Sequence, residues 1–264
     1  MVSAATLVWL CIGAAFSLAL RIGLLIWWRR TRKAKLLPFL IGALIWFVFA
    51  GVLEQLFHSA VLYGESAFSW AIQSNPYFYM LYGGLAAGVF EETGRYVAFR
   101  WLLSKKRYPE RDTAVTYGIG HGGFEAMLLL GVPYAGDAWF ALLYLSGNFQ
   151  AALALTGGDT LALASRLGEL AQLTPAICAV AMLERAAAMI RHIALSIFVF
   201  LAARNKSQWT WFPFAILLHA IADMPAALWQ RGMLPTAAVE IWLWTVALYA
   251  LRSARKCYLE AMDP

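Results

Sequence analysis

Charge is scarce in this chain. Of 264 residues only 14% are Asp, Glu, Lys or Arg, against 62% hydrophobic. An ordinary soluble domain carries about a quarter charged residues. The shortage excludes a disordered chain and a soluble enzyme, and leaves an integral membrane protein. Cysteine is equally sparse. Cys11, Cys178 and Cys257 are far apart and form no CxxC pair, which excludes a disulfide scaffold and gives these residues no metal or redox role. No HExxH run is present, so the common zinc-protease helix is absent. No basic residue precedes Arg21, which argues against a signal peptide and for a first span with its N-terminus outside. There is no repeat and no low-complexity tract.

What is abundant is long apolar sequence. Seven segments, about 3–28, 37–61, 77–103, 112–132, 176–203, 209–229 and 234–252, each approach the roughly 20 residues that one helical crossing needs. An eighth apolar stretch, 138–156, runs into the polar GGDTLALASRLGELAQLT. The expectation is an all-α bundle of seven to eight membrane helices forming one integral membrane domain over 1–264. The net charge of +6 does not signal nucleic acid, because the basic residues cluster in short loops. RRTRKAK (29–35), Lys105–Arg107 with Arg111, Arg204 with Lys206, and Arg252, Arg255 and Lys256 hold fourteen of them, whereas the alternate loops hold only Arg166 and Arg231. Positive charge marks the cytoplasmic side, so the asymmetry favours an N-out, C-in topology in a prokaryotic cytoplasmic membrane. With seven spans, 138–174 stays outside as a surface or re-entrant segment, because Asp159, Arg166 and Glu169 make 157–172 a poor crossing.

The five remaining basic residues, Arg21, Arg95, Arg100, Arg185 and Arg191, fall inside the apolar segments, as do Glu54, Glu91, Glu92, Glu125, Glu184 and Asp223, and each central charge costs about 2.5–3.5 kcal/mol. Glu91 and Glu92 lie near the middle of 77–103, His121 near the middle of 112–132, His192 within 176–203, and His219 at the centre of 209–229. Four segments thus place acids or imidazoles at one depth. His121 and Glu125 are four residues apart, as are His219 and Asp223, and Arg95 is within reach of both glutamates on its own helix face. The pattern predicts a polar site built from the helices at about 77–132 and 176–229. GGLAAGVFEETG (83–94) and GIGHGG (118–123) supply the small residues that let helices approach closely in lipid.

EETGR (91–95), HGGFE (121–125), His192 and HAIAD (219–223) together resemble the YhfC-type membrane peptidases. These sit in a larger assembly with the type II CAAX prenyl proteases, bacteriocin-processing proteins, PrsW-like proteases and the scaffold subunit of gamma-secretase. The resemblance covers about 77–225. It implies a helical membrane fold with a peptide-hydrolysing site at mid-depth. The CAAX branch carries FxxxH on its second helix. The nearest match here is HGGFE, in which either His121 or Glu125 takes that place, and this shifts the resemblance toward the YhfC and PrsW side.

Hydrolysis of a peptide bond needs a base for water, a stabiliser for the oxyanion and an acid for the leaving amine. Either Glu91 or Glu92 suits the base. Adjacent residues lie about 100° apart on a helix, so the other falls to Arg95 or to structure. His192 and His219, with Glu125 or His121, form a candidate set for a divalent metal such as Zn²⁺, for which three protein ligands plus water is the usual catalytic arrangement. A metal-free version uses the same histidines and Asp223 to hold the oxyanion or orient water, and both versions fit the spacing. The expected partners are the lipid bilayer and a membrane-associated peptide or protein substrate. Two other functions fit midplane acids and histidines: a proton-coupled transporter, which internal repeats would favour, and a non-catalytic scaffold. Glu54 and His58 read as a structural or proton-relay pair.

Overall fold

The computed structural model describes residues 2–260, and every regular element in them is helical. In chain order the helices are α1 (Ala4–Arg32), α2 (Leu37–Leu62), α3 (Ala67–Ser74), α4 (Pro76–Val97), α5 (Asp112–Leu145), α6 (Phe149–Leu155), α7 (Thr160–Gln172), α8 (Pro175–Arg204), α9 (Trp211–Gln230) and α10 (Thr236–Glu260). Helix starts reflect local chemistry. Asn75 caps α4, its Oδ1 accepting from the Tyr77 and Phe78 amides, and Pro76 occupies the first turn, where no amide hydrogen is needed. Asp159 caps α7 in the same way.

Five helical runs, α1, α2, α5, α8 and the run Lys206–Gln230 that contains α9, are long and apolar enough to cross a membrane. α10 is also long, at 25 residues. α4 continues through a wide turn, Ala98–Leu102. It carries Glu91, Glu92, Arg95 and Arg100, which keep it from reading as a purely apolar span.

One boundary differs from the sequence expectation. The segments expected at 112–132 and from 138 onward form a single helix, Asp112–Leu145, of 34 residues. At 1.5 Å per residue it extends about 51 Å, well beyond the ~30 Å hydrocarbon layer. Pro133 does not break it, because a wide turn at Met127–Gly131 ends before the proline and the helix resumes at Val132 with the ring in its first turn. The break falls instead at Ser146–Asn148, where Gly147 takes φ +79°. Beyond the break, α6 and α7 have 7 and 13 residues, each shorter than a crossing requires.

The chain divides into two compact units. The first joins residues up to Ile22 with 125–186, and the second joins 23–124 with 187 onward. In the first unit Leu10, Phe140, Ala141 and Leu170 are buried together, and Gly13 lies under the Tyr134 ring, which a Cβ there would enter. Charges here are paired. Asp137 bonds Arg166, and Glu125 Oε1 accepts from Arg185 Nη1 at 2.7 Å.

The second unit holds the larger core, from Phe39, Phe99 and Tyr117 to Phe198 and Leu218. α4 lies directly on α9, because a Cβ at Gly84 or Gly88 would come within 2.6 or 2.5 Å of the Ala220 or Ile216 carbonyl. On α5, a Cβ at Gly122 would meet His192 Cβ at 3.0 Å. Arg204, at the end of α8, donates to the Phe99 and Tyr108 carbonyls at 2.8 and 3.0 Å and also to that of Leu103. It thereby satisfies carbonyls left open where α4 ends. His58 Nδ1 is 2.6 Å from the Tyr82 hydroxyl and its Nε2 is 3.2 Å from Glu54 Oε1, a second polar chain between α2 and α4.

Candidate active site

Four helices of the second unit bring a set of ionisable side chains together. α4 contributes Glu91, Glu92 and Arg95, α5 His121, α8 Arg191 and His192, and α9 His219 with Asp223. Glu92, Arg95, His121, His192 and His219 are fully buried, at 0% exposure, and Glu91 is 7% exposed. Such burial demands partners for every charge.

Glu91 Oε2 is 2.8 Å from His121 Nε2 and 3.7 Å from His192 Nδ1. The His121 and His192 rings are 5.1 Å apart between centroids, and His192 and His219 5.6 Å. One ligand atom from each of Glu91, His121 and His192 lies within 4.8 Å of the others. A carboxylate and two imidazoles form a donor set suited to a zinc-class ion. Ligands 2.0–2.1 Å from a tetrahedral metal are about 3.3 Å apart, so only small side-chain adjustments separate these atoms from that arrangement. The residues therefore fit a divalent metal. Tyr117 stands behind His121, its hydroxyl 3.5 Å from Nδ1, as an outer support that orients the ring.

Beside this set runs a second chain. His219 Nδ1 is 2.6 Å from Glu92 Oε1, and its Nε2 is 3.2 Å from Asp223 Oδ2. Nδ1 is hydrogen-bonded to Glu92 and Nε2 lies at ion-pair distance from Asp223, so the ring stands between two carboxylates. Asp223 also pairs with Arg191, and its side chain, 27% exposed, is the most open of the group. Arg95 lies between the two chains. Its Nε is 3.4 Å from Glu92 Oε2, and its Nη2 is 2.8 Å from both His121 Nε2 and His192 Nδ1. Three carboxylates thus face two guanidinium groups, and the cationic form of His219 closes the balance.

The residues singled out from the sequence separate in two ways. Glu91, Glu92, Arg95, His121, His192, His219 and Asp223 come together. Glu125, the other candidate from HGGFE, belongs to the first unit, where it is engaged by Arg185. His219, expected among the metal ligands, is occupied by Glu92 and Asp223, and Glu91 stands in the donor set. Arg191 and Ser196 join the site without having been expected there. Ser196 Oγ is 3.5 Å from Arg95 Nη1 and donates to the His192 carbonyl at 2.7 Å. The one sequence signal for Arg191 is Asp223, a membrane acid that requires a cation.

A family model described as YhfC intramembrane metalloprotease matches residues 16–243. The chain is also 37% identical over 255 residues to the uncharacterized membrane protein YhfC of Bacillus subtilis (strain 168), covering 96% of this chain and 95% of that protein. No solved structure matches it. With a match over most of its length and a buried Glu/His/His group of metal-binding type, this integral membrane protein belongs to the YhfC intramembrane metalloprotease family.

Proposed function

We propose that the protein hydrolyses a peptide bond of a membrane-associated substrate, using a divalent metal of the zinc class held by Glu91, His121 and His192. The observation that carries this reading is the convergence of those three ligand atoms, within 4.8 Å, on three buried side chains. A metal bound there supplies Lewis-acid activation of water and of the substrate carbonyl. The chain's own groups do the rest. Glu92, beside the donor set, takes the proton from water. His219, bonded to Glu92 at 2.6 Å, delivers a proton to the leaving amine. Asp223 fixes the His219 ring from its other nitrogen and is itself held by Arg191, the role of an orienting carboxylate. Burial keeps competing water away and strengthens each of these interactions. Asp223, as the most open member, marks the side from which a substrate reaches the site. The bacterial relative suggests that this happens in the cytoplasmic membrane.

The test is cleavage of a membrane-peptide library by the purified protein in lipid vesicles. Glu92→Gln should lower the rate by about 10²–10⁴-fold, the usual cost of losing a general base, with folding retained. Full activity in folded Glu92→Gln would contradict the role of Glu92. A folded wild type that binds metal and cleaves nothing in the library would favour a non-catalytic scaffold.

A further inference from the structure

Arg95 is placed unusually for a residue beside a metal-type donor set. Its Nη2 carries two hydrogens, and two imidazole nitrogens lie 2.8 Å from it, His121 Nε2 and His192 Nδ1. Glu91 Oε2 is 3.4 Å from the same atom. A single guanidinium nitrogen therefore faces all three members of the donor set. His121 Nε2 is also 2.8 Å from Glu91 Oε2. One ring nitrogen cannot accept from Arg95 and donate to Glu91 at the same time. With Arg95 as the donor, the lone pair of His121 and the charge of Glu91 both point toward a cation, and that cation is the guanidinium.

We propose that Arg95 is a built-in surrogate cation. In the metal-free protein it holds Glu91, His121 and His192 together, and it gives up the two imidazole lone pairs when a divalent metal binds. This rests on the metal-binding reading above. The exclusion is a matter of lone pairs: each imidazole nitrogen has one, and it can serve N–H or a metal but not both. It is also a matter of charge, since a guanidinium and a divalent ion repel strongly among buried side chains, where the dielectric is low.

The displaced arginine has other contacts at hand. Nη1 already donates to the His192 carbonyl at 3.1 Å and lies 3.5 Å from Ser196 Oγ, and Nε stands 3.4 Å from Glu92 Oε2. The side chain can withdraw Nη2 while keeping these anchors. The surrogate solves a folding problem peculiar to this site. Without it the three carboxylates Glu91, Glu92 and Asp223 would share only Arg191 and His219 as cationic partners until metal arrived, one positive charge fewer in a buried cluster.

The experiment titrates the purified full-length protein with Zn²⁺ against a chelating dye and records thermal unfolding with and without the ion. Arg95→Met should bind Zn²⁺ at least about ten-fold more tightly than wild type, about 1.4 kcal/mol. Its metal-free form should melt below the metal-free wild type, and saturating Zn²⁺ should raise its midpoint more than that of wild type. Arg95→Lys keeps the charge but not the paired donors, so it should fall between the two in affinity, and it provides the reading if Arg95→Met does not fold. Wild type that binds Zn²⁺ while these variants bind equally or more weakly would overturn the surrogate role alone. A folded wild type that binds no Zn²⁺ would overturn the metal reading and this inference with it.

Discussion

Glu92 Oε1 and His219 Nδ1, 127 residues apart in the chain, lie 2.6 Å apart with both side chains fully buried. This contact ties α4 to α9 at the level where the glycine face of α4 lets the two backbones touch. Removing one partner of a buried charge pair typically costs about 3–5 kcal/mol, because the other is left uncompensated. His219→Phe should therefore lower the thermal midpoint of the purified protein clearly. An unchanged midpoint would show that the pair contributes nothing to stability.

The α4–α9 contact itself can be tested without altering any charge. A side chain at Gly88 would enter the Ile216 carbonyl, 2.5 Å from the Cβ position. Backbone cannot yield as a flexible side chain can, so Gly88→Leu should destabilise by more than the 1–3 kcal/mol usual for overpacking. Gly23, whose added Cβ meets nothing within 4 Å, provides the control, and Gly23→Ala should leave the midpoint nearly unchanged. Equal midpoints for the two variants would refute the close approach.

Much of this arrangement is legible in the sequence because charge in lipid has so few permitted places. Glu91, His121, His192 and His219 are recognisable as one group from their depth alone. The division of labour among them is not. HGGFE offers His121 and Glu125 on one helix face, and depth alone does not choose between residues one turn, about 6 Å, apart. His121 joins Glu91, whereas Glu125 is engaged by Arg185. Arg191 is hard to single out beside His192, yet the two point about 100° apart, and Arg191 reaches Asp223. Apolar runs locate the helices but not the continuity of α5. The wide turn at Met127–Gly131 carries the helix past Pro133, and hydropathy has no signature for such a turn.

The pairing in the first unit leads to a separate expectation. Glu125 and Arg185 are both largely buried and 2.7 Å apart. Arg185→Met alone should destabilise by about 3–5 kcal/mol, and Arg185→Met with Glu125→Gln should recover part of that loss. Unfolding midpoints of the two single variants and the double variant measure the coupling. Strict additivity would mean that the two side chains do not interact.

From the basic loops we propose that 29–35, 104–111 and the end of α10 lie on the cytoplasmic side. Single cysteines placed at 29–35, at 104–111 and at 253–260 in a background without the native three should be labelled by an impermeant maleimide only after the cytoplasmic side is opened. Labelling of the 104–111 loop in intact cells would reverse the topology.

The metal content of the purified protein, after equilibration with Zn²⁺ and removal of excess ion, reports on the Glu91, His121 and His192 donor set without any substrate. Wild type should hold one tightly bound ion per chain. Occupancy should be lost in Glu91→Gln, His121→Ala and His192→Ala, and retained in Glu125→Gln and in His219→Gln. A folded wild type without metal, or folded Glu91, His121 and His192 variants that keep a full equivalent, would contradict that donor set.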